Sequence, residues 1–349
     1  LDSPAPVDVI GGETMSNQGD TDMSNLLRNV IPSYNVNDQP ISDAATLVRP
    51  ANLRGLAPDH TLMLVNGKRR HRASVITWLG NGISNGSQGP DAAAIPGAAL
   101  KRIEVLRDGA SAQYGSDAIA GVMNFVLNDS AEGGSLEVRY GEYKEGDGEQ
   151  VTIAGNIGLP LGDNGFLNLT AEWGESDPTS RSEQRGDAQT LIDNGYQDVP
   201  APAMIWGRPI VNDDMKLWAN FGMDLSDTLT LYGHANYNSK EVDGGFFFRN
   251  PTNRGAVYSG DGGETLLVGD LTPNDGQGCP VVALGGADNV TPDADAFGQV
   301  VADPNCFSFQ ETIPGGFTPR FGGDVTDMSF LLGLRGEIND NLRWDISAY

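Results

Sequence analysis

From about residue 130 to residue 349 the chain repeats one pattern, segments of roughly ten residues in which apolar and polar side chains alternate. Alternation at period two gives a strand one apolar and one polar face. Within 164–173 one face carries Leu167, Leu169, Ala171 and Trp173, and the other Asn168, Thr170 and Glu172. Met215, Leu217, Ala219, Phe221 and Met223 oppose Lys216, Trp218, Asn220 and Asp224. Leu229, Leu231, Ala235 and Tyr237 oppose Thr230, His234 and Asn236. Met328, Phe330, Leu332 and Leu334 oppose Ser329, Arg335 and Glu337, and Leu342, Trp344 and Ile346 oppose Arg343, Asp345 and Ser347. With 135–143 and 150–161 the set comes to about seven strands.

The connections between these segments alternate in length. Those at 161–165, 226–227 and 339–341 are short, and those at 175–213 and 241–327 are long and acidic. Short turns at one end, long connections at the other and a single apolar face fit a transmembrane β-barrel. A soluble β-sandwich alternates too, but rarely carries connections this long at one end only. No window approaches the ~18–20 consecutive apolar residues that a spanning helix needs. A formal net charge of −25 argues against a nucleic-acid partner, which wants a basic face. It is compatible with a bilayer because the acid falls in the connections. No initiator methionine or signal peptide is present and residue 349 falls inside an alternating strand, so the sequence is expected to be a piece of a longer chain.

Residues 1–128 follow a different grammar, that of a small mixed α/β domain. Val7 to Ile10 predicts a short strand. Met23, Leu26, Leu27 and Val30 fall at the spacing of an amphipathic helix, with Asp20 or Thr21 as N-cap and Pro32 as terminator. Thr61 to Val65 predicts a strand that runs into the turn Asn66-Gly67. Residues 101–127 read as strand, Asp108-Gly109 turn, one helical turn, glycine break and strand. Two cysteines, Cys279 and Cys306, lie in a Gly/Asp/Pro-rich stretch. They are either free thiols or one disulfide, and a disulfide is the expectation because paired cysteines in exposed connections fit an oxidising compartment.

Taken together these residues resemble the TonB-dependent outer-membrane receptors. The resemblance rests on Asn25-Leu26-Leu27-Arg28-Asn29-Val30-Ile31-Pro32, Leu53-Arg54-Gly55 and Thr61-Leu62-Met63-Leu64-Val65-Asn66-Gly67-Lys68. Its most specific part is the run from Ile103-Glu104-Val105-Leu106-Arg107 through Tyr114-Gly115 to Ala120-Gly121-Val122-Met123-Asn124. The match is specific over 1–128 and only one of style beyond it. It implies a plug domain over 1–128 followed, over 129–349, by the first part of an antiparallel barrel, about seven strands of the ~22 in a plugged transporter. It further implies an outer membrane of a Gram-negative bacterium and import of a scarce solute, by default a ferric siderophore. The implied partners are outer-membrane lipid, the solute and a TonB-type periplasmic energy-coupling protein, whose contact box lies upstream of the plug and outside this sequence. No cofactor and no enzymatic chemistry are implied. The alternative is a non-transporting surface barrel, an adhesin or structural protein, against which the plug counts.

Candidate site residues follow. Lys68-Arg69-Arg70-His71-Arg72 is the dense positive patch of an acidic chain. Arg69, Arg70, His71 and Arg72 can capture an anionic chelate through charge-assisted hydrogen bonds, or can instead neutralise acids of the barrel wall and hold the plug. Asn35 and Gln39 in the 34–41 segment, and Trp78, are further ligand candidates by family position. Arg54, Glu104 and Arg107 resemble charged plug positions and are expected to latch plug to wall, since a charge enclosed by a barrel needs a partner.

Three apparent motifs carry nothing. Gly82-Ile83-Ser84-Asn85-Gly86 matches a nucleophile elbow but Gly89-Pro90 follows where a helix must start. Asp293-Ala294-Asp295 lacks the rest of a calcium loop. His60, His71 and His234 have no metal-ligand spacing. No metal site and no catalytic constellation are expected.

Overall fold

The computed structural model describes residues 7–18, 20, 22–36, 41, 46–49, 51–77, 85–107, 110–339 and 341–349. Gln39, Trp78, Ser84 and the Asp108-Gly109 turn lie outside these described residues. Two compact units are present, one comprising 1–179, 208–243 and 322–349 and the other 180–207 and 244–321.

The first unit contains two large sheets and a small two-stranded one. Strands β1 (Val7–Gly11), β4 (Thr61–Val65), β5 (Lys68–Arg69), β6 (Leu100–Leu106) and β7 (Gly121–Leu127) form a five-stranded sheet in the order β1-β6-β7-β4-β5. β4 and β7 are parallel, whereas β1/β6, β6/β7 and β4/β5 are antiparallel. Helices α1 (Gly12–Ser16) and α2 (Met23–Val30), and the β2/β3 pair (Tyr34–Val36, Ala51–Leu53), pack around it. The core holds Leu27, Ile31, Leu53, Ile103, Val105, Met123 and Phe125, all nearly inaccessible. Each such side chain contributes about 1.5–3 kcal/mol of burial.

Local rules explain the element ends. The helical spacing of 23–30 does form α2, but its N-cap is Asp22 and not Asp20, while Thr21 lies outside the described residues. The Asp22 carboxylate accepts from the Ser24 and Asn25 amides, while Asp20 accepts from the Asp22 amide and the Asn25 side chain. Two neighbouring aspartates compete, and the one directly ahead of the first helical residue reaches the free amides. Asn66-Gly67 takes positive φ at both residues, 50° and 79°, the two-residue hairpin that this dipeptide favours. Gly121 opens β7 at φ 151°, where a Cβ would stand 2.5 Å from the Leu106 carbonyl oxygen and 2.7 Å from Leu53. Between β6 and β7 lies the one-turn helix α3 (Ser111–Tyr114).

The second sheet has seven strands: β8 (Gly134–Gly141), β9 (Gln150–Pro160), β10 (Gly165–Ser176), β11 (Ile210–Ser226), β12 (Leu229–Gly245), β17 (Arg320–Asn339) and β18 (Leu342–Ala348), in the order β18-β17-β12-β11-β10-β9-β8. It is the antiparallel wall that the alternation predicts. Leu136 and Val138 are 77% and 67% exposed on its apolar face, whereas Asn168 and Lys216 on the polar face are 3% and 8% exposed. Several strands outrun the segments visible in the sequence. β11 begins at Ile210 and β17 at Arg320, because their first turns carry polar residues on both faces and show no alternation. No described helix is long and apolar enough to cross a membrane.

The second unit is a folded body. Besides α4 (Gly186–Asp193) it contains two small sheets, β13 (Gly269–Asp270) with β16 (Cys306–Phe307) and β14 (Leu284–Gly285) with β15 (Thr291–Pro292). Helices α5 (Ala294–Ala302) and α6 (Phe309–Thr312) complete it. Leu266, Val282, Leu284, Val300 and Cys306 form its small core, and a disulfide joins Cys279 to Cys306. Asp293 is the N-cap of α5, accepting from the Ala296 amide at 2.8 Å. Ser308 and Glu311 form a reciprocal cap on α6. Burial pushes the Tyr258 hydroxyl up to about 12, and it donates to the Ile313 carbonyl at 3.0 Å. Glycine- and aspartate-rich composition disguised this unit as loop, because caps and tight turns use the same residues.

Candidate plug–wall site

The five-stranded sheet meets the seven-stranded wall inside the first unit, and the basic run after β4 lies at that contact. The Asn66-Gly67 turn reverses the chain so that β5 and the residues after it face β12, β17 and β18. Arg70 is 3% exposed. Its guanidinium pairs with Asp327 on β17, donates to Asn236 on β12 at 2.8 Å and to Ser329 at 3.1 Å, and stacks 5.3 Å from the Trp218 ring. Asn236 in turn donates to Asp327 at 2.7 Å. His71 Nε2 lies 2.7 Å from the other Asp327 oxygen, and its Nδ1 lies 2.7 Å from the Tyr349 hydroxyl. A carboxylate only accepts, so Nε2 carries the proton of that bond. Two cationic or donor groups from the plug thus converge on one wall carboxylate.

Flanking contacts extend the seam. Lys68 reaches Asp345 on β18 at 2.8 Å. Burial alone depresses the Lys68 ammonium, but its bonds to Asp345 and Tyr232 outweigh that and raise it. Asn66 donates to Asn220 at 3.0 Å, and Asn220 donates to the Asn128 carbonyl at 2.8 Å. Trp218 Nε1 and Asn238 Nδ2 both donate to the Ala94 carbonyl, at 3.1 and 2.9 Å. Lys240 lies 3.7 Å from Asp91, which caps the turn containing Ala94. Around the α2 N-cap, burial pushes the Asp22 carboxyl up, but Arg49, Lys216 and Lys240 together outweigh it and hold the group below its ordinary range.

The sequence candidates separate into three groups. Arg70 and His71 are engaged with the wall. Arg69 and Arg72 point away from that network: Arg69 pairs with Asp117 of the plug, and Arg72 is exposed. Asn35 is exposed on β2, opposite Asn52 of β3. Arg54, Glu104 and Arg107, expected to reach the wall, bond instead within the plug. Arg54 donates to the Arg107 carbonyl at 2.8 Å, Arg107 pairs with Asp8 of β1 at 2.6 Å, and Glu104 joins Arg102 at 2.7 Å and Asn124 at 2.9 Å. Glu104 lies on β6 between β1 and β7, Arg107 directly follows β6 and Arg54 directly follows β3, so the plug's own strands and turns supply these partners. Burial raises the Glu104 carboxyl, but Asn124 and Arg102 prevail and lower it. The wall partners Asp327, Asn236, Trp218 and Asn238 were missed. Trp218 carried a signal, a large aromatic on an otherwise polar strand face. Among the described residues no cluster of three or more potential metal ligands occurs.

Residues 1–122 match the family described as TonB-dependent Receptor Plug Domain. The chain is similar to the ferrienterobactin receptor of Escherichia coli, 26% identical over 274 residues that cover 75% of this chain and 32% of that protein. It is also similar to a ferric enterobactin receptor of Pseudomonas aeruginosa, 30% identical over 41% of this chain and 19% of that protein. The chain therefore spans a third or less of the relatives' length. Among solved structures, the siderophore receptor PirA from Acinetobacter baumannii superposes with a TM-score of 0.54 at 19% identity, covering 98% of this chain and 39% of that one. The ferric citrate transporter FecA does so with a TM-score of 0.53 at 16% identity, again over 39% of its own chain. At these identities the likeness is one of fold.

Proposed function

We propose that this chain, which belongs to the TonB-dependent receptors of the outer membrane and carries their plug, gates the import of a ferric siderophore. The relatives named for ferric enterobactin suggest the chelate class. The observation that carries the reading is the Arg70–Asp327–His71 contact between plug and wall. A barrel wide enough for a chelate leaks unless filled, and the filling must be held by contacts that can be broken and remade. Charge-assisted hydrogen bonds are strong when formed and, once water enters, are replaced at small net cost.

In this reading Arg69 and Arg72 offer positive charge to an anionic chelate, while Arg70 and His71 hold the plug. Asn35, Gln39 and Trp78 remain ligand candidates by family position. Arg54, Glu104 and Arg107 stabilise the plug sheet rather than its attachment. The plug covers 1–128 and the wall begins at 129. A TonB-type protein supplies the pull, and the receptor itself makes or breaks no covalent bond. The test is uptake of radio-iron ferric enterobactin by cells that lack their own enterobactin receptors and express the full-length protein. Uptake is expected only when the coupling protein is present. Uptake that ignores the coupling protein, or absence of both binding and uptake, would overturn the reading.

A further inference from the structure

The two sides of the plug–wall seam are built differently. On β11, β12, β17 and β18 the plug is stitched to the wall by Asn220, Trp218, Asn238, Asp327 and Asp345. On β9 and β10 the inward polar residues bond to the wall itself. Asn156 donates to Asn168 at 2.6 Å and to Thr170 at 2.8 Å, and Glu172 accepts from Lys216 at 2.6 Å. Among the described residues no hydrogen bond or ion pair joins β9 or β10 to the plug. On β8, Arg139 is the link, donating to the Gln18 and Asp20 carbonyls of the plug.

Opposite β9 and β10 the plug presents the small residues of the turn Gly97–Ala99, which packs against both strands. A cavity that a water-sized sphere can occupy over about 20 Å³ lies in this seam, between Gly97 and Ala98 on one side and Thr152, Ala154 and Glu172 on the other. That is room for about one water beside buried hydroxyl and carboxylate groups. Small side chains, a gap with room for a water and, among the described residues, no cross-link from β9 or β10 mark the surface along which two bodies part first.

We infer that the plug stays anchored on the β11–β18 side and separates first from β9 and β10, and that the Asn156–Asn168–Thr170 ladder which this uncovers is the surface along which a hydrophilic, hydrogen-bonding solute passes. The inference rests on the import reading for its solute and on geometry for its location. Amides and hydroxyls that already satisfy one another need not be desolvated afresh when the plug leaves, and can exchange bonds with a passing polar solute one at a time.

Two readouts test this in the full-length receptor, which has no free cysteine among residues 1–349 when Cys279 and Cys306 are paired. In the first, cysteine pairs are tethered by a short bismaleimide. Ala98→Cys with Ala154→Cys ties the proposed gap, and Leu47→Cys with Gly323→Cys ties the anchored side, where Leu47 Cδ1 is 3.6 Å from a Cβ built at Gly323. The gap tether is expected to cut energised ferric enterobactin uptake at least tenfold, and the anchor tether to leave it within twofold. Equal loss in both, or the reverse pattern, overturns the inference.

The second readout does not depend on the solute. Thr170→Cys on β10 and Leu331→Cys on β17 are both buried, at 5% and 1% exposure in the parent residues. In energised cells the thiol at 170 is expected to react with a hydrophilic maleimide at least tenfold faster than without energy, and the thiol at 331 to stay protected. Labelling only at 331, or no energised change at either, overturns the inference. If ferric enterobactin is not taken up while the labelling contrast holds, the solute reading fails and the seam assignment stands.

Discussion

Arg70 of the plug and Asp327 of the wall form an ion pair across 257 residues of sequence, with the guanidinium side chain only 2% exposed. Breaking such a pair strands a charge, at a cost of about 3–5 kcal/mol. Asp327→Asn removes the charge that both Arg70 and His71 use. Limited proteolysis of the full-length receptor is expected to show the plug cut many-fold faster than in the parent. Arg70→Lys keeps the charge but loses the fork, and an intermediate rate is expected. A plug as resistant in Asp327→Asn as in the parent would remove the pair from the attachment.

Trp218 separates hydrogen bonding from packing. Trp218→Phe deletes the bond to the Ala94 carbonyl, which Asn238 still serves, so a loss of about 1 kcal/mol is expected. Trp218→Ala also deletes packing against the plug core and the ring beneath Arg70, and about 3–5 kcal/mol is expected. Denaturation of the two variants followed by plug-specific proteolysis orders them.

Gly121→Ala tests backbone fit. The alanine would need φ near 151° and a Cβ pressed on the Leu106 carbonyl, for a loss of about 1–3 kcal/mol or more. Gly55→Ala meets open space at φ 70° and should cost only about 1 kcal/mol. Heat-stable yield in the membrane fraction is expected to fall further for Gly121→Ala.

The Asp22 cap is acid-sensitive. Its folded-state affinity for a proton is depressed, so the stabilisation it gives is complete above the ordinary aspartate range and fades as pH falls through and below it. Amide exchange at Ser24 and Asn25 is expected to accelerate between about pH 5 and pH 3, relative to the chemical exchange rate. Asp22→Asn, which has no such titration, should show a flat ratio over the same interval.

Replacing both Cys279 and Cys306 by serine opens a loop with a sequence separation of 27, a loss of about 3 kcal/mol. Hydrogen exchange should rise within 244–321 and stay unchanged in β4 and β7, whose core shares no side chain with Leu266, Val282 or Val300. An unchanged 244–321 would mean that the small core holds without the cross-link.

The wall was legible because lipid on one side and polar contents on the other impose the alternation seen at Leu167 to Trp173. The basic run 68–72 was legible as a patch. Which of its members is buried was not, since Arg70 differs from Arg69 and Arg72 only through partners on β12 and β17. Asp327 was hidden for a related reason. It precedes Met328, where the apolar rhythm becomes visible, so it looked like the end of a connection. Glu104 and Arg107, read as latches, bond to Asn124, Arg102 and Asp8 within the plug, and no rhythm in the sequence announces those partners.

Strand β1 occupies the outer edge of the plug sheet and, among the described residues, has β6 as its single ladder neighbour. A load applied to the backbone ahead of Val7 would therefore meet one row of hydrogen bonds and the Asp8–Arg107 pair before reaching β6. The parallel β4/β7 junction would feel that load only after the β1/β6 and β6/β7 ladders. The sheet thus has a mechanical order of failure written into its strand order, with a sacrificial outermost rung and a protected centre.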